Sequence, residues 1–73
     1  MAEVRIYARI AAEWRQRIES GELRADDPLP PIGELARRYG VSRDSVQHAY
    51  QVLQAEGLIR RVPGRGYFCG SQD

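Results

Sequence analysis

Apolar residues recur at every fourth position along the first twenty residues. Ile6, Ile10, Trp14 and Ile18 form one stripe, with Tyr7 and Ala11 beside it, while Arg5, Arg9, Arg15 and Glu19 fall mostly elsewhere. An apolar stripe of helical period opposite charged positions predicts an amphipathic helix from Val4 to Ser20. Gly21 follows and can take the left-handed conformation that ends such a helix. The next ten residues, ELRADDPLPP, carry three prolines and an Asp-Asp pair; they read as a loop, with Leu29 in a short extended piece. The helical period then returns: Ile32, Leu35, Ala36 and Tyr39 stand at i, i+3, i+4 and i+7. Pro31 suits the first turn of this second helix, where its missing N–H would be unpaired in any case, and Gly40 ends it.

A third helix is expected from Ser42. A serine directly before an amphipathic run is a good N-cap, and Asp44 in the first turn favours the helix dipole. Val46, Ala49, Tyr50 and Leu53 make the buried stripe, with Arg43, Asp44, Gln47, Gln51 and Gln54 opposite and Gly57 closing the run. Only Gly40 and Val41 lie between the second helix and this cap, a spacing that makes a helix-turn-helix; a plain helical hairpin packed for its own sake is the alternative. After Gly57 the pattern changes again. Leu58 to Val62 and Tyr67 to Cys69 are β-prone runs on either side of Pro63-Gly64-Arg65-Gly66, which reads as a hairpin. The predicted fold is therefore mainly α with a small β-hairpin, a winged helix-turn-helix of three helices plus a wing over residues 1–70, with 71–73 as a tail.

Composition narrows the class. In a chain of 73 residues with 42% hydrophobic and 29% charged residues, one modest core is expected, burying ~60% of the unfolded surface. No apolar run approaches membrane-spanning length and no segment has signal-peptide character, so a cytoplasmic location is the expectation. Cys69 and His48 are each the one residue of their kind, which excludes an intrachain disulfide and makes a zinc site implausible. The net charge of +1 hides an asymmetry. Residues 1–34 hold five arginines against seven carboxylates, whereas residues 35–68 hold six arginines against Asp44 and Glu56. The positive half is where a phosphate backbone would be drawn. All eleven basic residues are arginine; GC-rich coding accounts for most of that, although the guanidinium fork suits phosphate and guanine.

The candidate chemistry is recognition rather than catalysis. One Cys, one His and two Ser near Asp44 offer no nucleophile with a base and an orienting group, and no cofactor is expected. Gly64-Arg65-Gly66 is too short for a nucleotide-binding glycine loop. The exposed start of helix three presents Ser42, Arg43, Asp44, Ser45, Gln47 and His48, and the N-terminal end of a recognition helix is what reaches base edges in the major groove. Its free N–H groups can bind a phosphate. Arg65 sits between Gly64 and Gly66 at the hairpin tip, where the backbone can approach a groove and the guanidinium can enter it. Trp14, Tyr39 and Tyr50 lie on apolar faces and read as core. Tyr7 either packs at the rim or turns its hydroxyl to a phosphate. Arg37-Arg38 and Arg60-Arg61 are either solvated or in contact with phosphate. For Arg43 the bland alternative is an intrahelical pair with Gln47. A winged helix used as a protein-interaction or RNA-binding module is the competing function, and such a module would place apolar residues where Arg43, Ser45 and Gln47 stand.

Seven segments, in order, also carry a resemblance. They are Tyr7-Ala8-Arg9-Ile10-Ala11, Ile18-Glu19-Ser20-Gly21-Glu22-Leu23, Leu29-Pro30 with Glu34-Leu35-Ala36, Gly40-Val41-Ser42-Arg43-Asp44-Ser45-Val46, Ala49-Tyr50-Gln51-Val52-Leu53, Glu56-Gly57-Leu58-Ile59 and Gly64-Arg65-Gly66-Tyr67-Phe68. Together they resemble the N-terminal domain of the GntR family of transcription regulators, over the span from Tyr7 to Phe68. The resemblance implies a winged helix that binds palindromic operators in double-stranded DNA as a homodimer. It implies DNA contacts from Ser42, Arg43 and Ser45, backbone or phosphate contacts from Gln47, and minor-groove or phosphate contacts from Gly64, Arg65 and Gly66. Two positions depart from the family pattern, Pro31 in place of a serine and Gly33 in place of an arginine that helps hold DNA. Family members also carry a larger C-terminal domain that binds a small effector and dimerises. This chain stops at the wing, and both a piece of a longer regulator and a stand-alone module fit.

Overall fold

Three helices form where the apolar period predicts them: α1 spans Ala2–Glu19, α2 Ile32–Tyr39 and α3 Arg43–Ala55. The computed structural model describes residues 2–70, with side chains from residue 6 onward; the predicted tail 71–73 lies outside them. Gly40 closes α2 at a φ of 69°, and the N–H groups of Gly40 and Val41 donate to the carbonyls of Arg37 and Ala36. A left-handed residue at this point satisfies carbonyls that the helix end would orphan, and glycine adopts it without steric penalty. Ser42 caps α3, its Oγ accepting the N–H of Ser45 at 3.2 Å. The chain can thus turn between two helices within three residues.

The helices converge on one apolar core. α1 contributes Ile10, Ala11 and Trp14, α2 Leu35 and Ala36, and α3 Val46, Ala49, Tyr50 and Leu53. Leu29, Ile59 and Cys69 close the end nearest the hairpin. No polar or charged residue is buried among the described residues. The lone cysteine is thus a packing residue, 1% exposed, and burial pushes its thiol upward from the ordinary value. Polar links tie the layers at the rim. Trp14 Nε1 donates to the Tyr39 hydroxyl at 3.0 Å, and that hydroxyl donates to Glu13 at 2.9 Å. Arg15 of α1 makes a two-pronged contact with Glu56, just beyond α3, both distances being 2.8 Å.

The hairpin pairs β1, Ile59–Val62, with β2, Gly66–Cys69, in antiparallel register from Ile59↔Cys69 to Val62↔Gly66. Its tip is tighter than the four residues Pro63 to Gly66. Arg65 N–H donates to the Val62 carbonyl at 2.9 Å, with Pro63 and Gly64 between them and Gly64 at φ 77°, the pattern of a type II turn. Proline-rich residues 22–31 do more than separate α1 from α2. Leu29 N–H donates to Tyr67, Cys69 N–H donates to Asp27, Asp26 N–H donates to Cys69, and Pro28 bridges Phe68. The loop is in effect a third edge of the wing. Tyr50 joins all three parts: its hydroxyl donates to the Pro30 carbonyl at 2.7 Å, and its ring meets Tyr67 edge-on with centroids 4.8 Å apart.

Candidate nucleic-acid interface

A helix whose first turn is exposed can present both its side chains and its backbone donors, and α3 has that property. Ser42, Arg43, Asp44, Gln47 and His48 are exposed, and Ser45 is half-buried. Val46, Ala49, Tyr50 and Leu53 hold the opposite face in the core at 0% exposure, so the orientation of the exposed face is set by packing. At 13 residues and ~1.5 Å per residue, α3 is about 20 Å long, and its diameter of about 10–12 Å fits a major groove about 12 Å wide. The expected residues are therefore together on one surface, except that Gly64, Arg65 and Gly66 stand apart on the wing tip, all three exposed.

Several of these residues already have intramolecular work. Ser42 caps the helix, and its hydroxyl lies 3.1 Å from that of Ser45. Arg43 does not form the Gln47 pair considered above. Its guanidinium lies over Gly33 instead, so that a Cβ built on Gly33 would meet Nη1 at 3.7 Å and Cζ at 3.8 Å. His48 is stacked face to face on Tyr7 of α1, with centroids 3.8 Å apart and planes within 10°. Tyr7 thus packs at the rim, and its ring is the platform for a residue of α3.

The arginines divide into two sets. Arg15, Arg17, Arg38 and Arg60 are each paired with a carboxylate, Glu56, Glu13, Glu34 and Asp26 in turn. Arg60 also donates to the Cys69 carbonyl at 2.8 Å and is only 24% exposed. Arg60 is thereby a strut between the wing and residues 22–31, and Arg38 is half of an i,i+4 pair, so each guanidinium is already engaged with a carboxylate rather than simply solvated. Arg9, Arg24, Arg37, Arg43, Arg61 and Arg65 are exposed, and no carboxylate pairs with their guanidinium groups among the described residues. Arg9 and Arg24 belong to α1 and the loop after it; the other four lie in the positive half of the chain, at the end of α2, the start of α3 and the wing. Pairing along the sequence could not be read from composition, because the partners of Arg15 and Arg60 are 41 and 34 residues away.

Three helices, a short turn before a capped and exposed third helix, and a hairpin with an arginine at its tip define a winged helix-turn-helix domain. The model of the gntR family of bacterial regulatory proteins matches residues 6–69, and the chain belongs to that family. It is 43% identical over 63 residues to the HTH-type transcriptional repressor NagR of Bacillus subtilis, a match covering 86% of this chain and 26% of NagR. It is similar to a crystal structure of AraR(DBD) in complex with operator ORR3, with TM-score 0.85 and 32% identity over 89% of this chain and 78% of that one. A GntR family transcriptional regulator from Listeria monocytogenes matches with TM-score 0.83 and 31% identity, over 93% of this chain and 59% of that one. The chain spans about a quarter of the length of NagR.

Proposed function

We propose that this chain is the DNA-binding domain of a transcription regulator, reading operator sequence with the start of α3 and gripping the duplex backbone with the wing. The observation that carries this reading is the set of unpaired arginines. Arg43 and Arg65 stand at the two projecting parts of the fold, with Arg37 and Arg61 beside them, while the remaining arginines of the positive half are neutralised by carboxylates. Neutralising partners would have to be displaced before a phosphate could bind, so the free guanidinium groups on the helix-turn-helix and the wing are ready to meet a polyanion there, whereas the free Arg9 and Arg24 lie on α1 and its following loop. The exposed start of α3 carries hydrogen-bonding groups and no apolar side chain, which favours nucleic acid over a protein partner, and the likeness to AraR(DBD) with its operator favours duplex DNA.

Residue roles follow from position. Arg43 and Gln47 reach base edges, with Asp44 beside them to select against the wrong base. Ser42 and Ser45 hold the helix end against a backbone phosphate, and His48 contacts the duplex at the rim of the same surface. Gly64, Arg65 and Gly66 approach a phosphate or a narrow minor groove. The domain acts over residues 1–70 in the cytoplasm without catalysis, and two copies bind a palindromic operator, as the family implies. The test is a fluorescence-anisotropy titration with a pool of random duplexes of roughly 20 base pairs, about two helical turns. Binding at low salt is expected, with log affinity falling linearly in log salt by about 0.9 per phosphate contacted. Folded protein that leaves every duplex free at low salt overturns the reading.

A further inference from the structure

Tyr7 and His48 are 41 positions apart, on α1 and α3, yet their rings are parallel within 10° at a centroid distance of 3.8 Å. Tyr7 is half-buried and packs against the core, whereas His48 is exposed. A solvent-exposed histidine on a helix ordinarily samples several rotamers. Here a half-buried ring packed against the core holds one face of the imidazole, so both of its angles are restrained. Stacking uses the face of a ring, while the hydrogen-bonding capacity of an imidazole lies in its plane, at Nδ1 and Nε2. The contact therefore removes freedom from His48 and leaves its donor edge available. His48 sits on the α1 side of the exposed surface, beyond Gln47. When a helix lies in a major groove, its flank meets the sugar-phosphate backbone rather than the base edges.

We propose that Tyr7 is a positioning residue for DNA binding, holding the His48 imidazole in one orientation as a hydrogen-bond donor to a backbone phosphate at the flank of α3. This rests on the DNA reading above and adds to it a residue of α1 that acts through another side chain. Because the contact is to phosphate, it supports affinity equally on every sequence. Pre-ordering the donor spares rotamer entropy at the moment of binding.

The test uses the random duplex pool with four variants: His48→Ala, Tyr7→Leu, Tyr7→Phe and the double variant Tyr7→Leu/His48→Ala. His48→Ala and Tyr7→Leu should each weaken binding by roughly two- to tenfold, the range that one aromatic pair supports. The double variant should bind no more weakly than the worse single one. Tyr7→Phe, which keeps the flat ring, should bind as wild type does. Proton NMR should show the His48 ring protons shifted upfield by the facing ring in wild type and in Tyr7→Phe, and at ordinary positions in Tyr7→Leu. His48→Ala changes an exposed helical position and leaves the core intact, so full binding by that variant alone overturns the inference. Additive losses in the double variant do so as well, as does a Tyr7→Phe defect equal to that of Tyr7→Leu, which would make the hydroxyl the DNA contact. An Arg65→Ala control separates the two levels. If wild type binds and Arg65→Ala binds more weakly, while the Tyr7 and His48 variants bind fully, only this inference falls. Absence of binding by wild type removes both.

Discussion

Gly33 stands where the family resemblance leads one to expect an arginine, and its surroundings in the fold set the consequence of changing it. It is the second residue of α2, half-buried, with Pro31 at the cap position. Outside its own helix, no backbone atom lies within 4 Å of a Cβ placed there; the neighbours are Nη1 and Cζ of Arg43, at 3.7 and 3.8 Å. These are ordinary contact distances, so glycine is not needed for a close backbone approach. Gly33→Ala should stabilise the fold, by up to about 1 kcal/mol if the position behaved as a helix interior and about half that in a first turn. At 4–8 °C per kcal/mol for a domain of this size, the melting temperature should rise by roughly 2–4 °C. Gly33→Arg is different. It gains a similar propensity, but brings a second cation into the neighbourhood of Arg43, whose guanidinium lies 3.7 Å from the new Cβ. A pair of unit charges held about 4 Å apart repels by about 1 kcal/mol in bulk water; the flexible arm keeps the two guanidinium groups farther apart than that, and a cation in the first turn of a helix opposes its dipole. The stabilisation expected of an arginine from propensity alone is therefore reduced. Its effect should appear mainly on DNA, as one added phosphate contact that steepens the slope of log affinity against log salt by about 0.9. Thermal melts and salt-dependent titrations of wild type and the two variants separate these effects. A lower melting temperature for Gly33→Ala would refute the packing argument, and an unchanged salt slope for Gly33→Arg would show that the position does not face a phosphate.

Three further outcomes are expected. Arg43→Ala should lose roughly 1–3 kcal/mol of discrimination between sites selected from the random pool and their single mismatches, whereas Arg65→Ala should weaken binding evenly across sequences; equal loss of specificity in a competition assay would show that the two roles are wrongly assigned. Tyr50→Phe removes the donor to the Pro30 carbonyl and should cost about 1–3 kcal/mol, seen as a drop of at least about 4 °C in a circular-dichroism melt, while an unchanged melt would mean that water replaces the hydroxyl. The hydrogen bond from Arg15 holds the Glu56 carboxyl below the ordinary carboxylate range, so the stability it lends is present above that range and is lost as pH falls through the lower folded-state value; the difference in melting temperature between wild type and Glu56→Gln should shrink on acidification below about pH 4, and a difference that is constant with pH would remove the pair from the account.

Local pattern was enough for the elements. The recurrence of Ile6, Ile10, Trp14 and Ile18, the Gly40-Val41-Ser42 turn and the glycines around Arg65 each specify a conformation through residues a few positions apart, and the helices and hairpin lie where those signals put them. The candidate surface was legible for the same reason, since one helical period that buries Val46, Ala49, Tyr50 and Leu53 must leave Arg43, Asp44 and Gln47 outside. What each exposed group is free to do was not legible. Arg60 and Arg61 are neighbours of identical chemistry, yet one is tied to Asp26 and the Cys69 carbonyl and the other is exposed. Asp27 and Leu29, on either side of Pro28, are joined to the wing by backbone hydrogen bonds across about 40 residues of chain, a spacing no periodicity reports. The stacking of His48 on Tyr7, the repose of Arg43 over Gly33 and the burial of Cys69 belong with these. The chain alone determines which face each element buries, because burial follows period; only the packed fold decides which charged and polar groups on the remaining face are already partnered, because those partners come from distant segments brought together by the core.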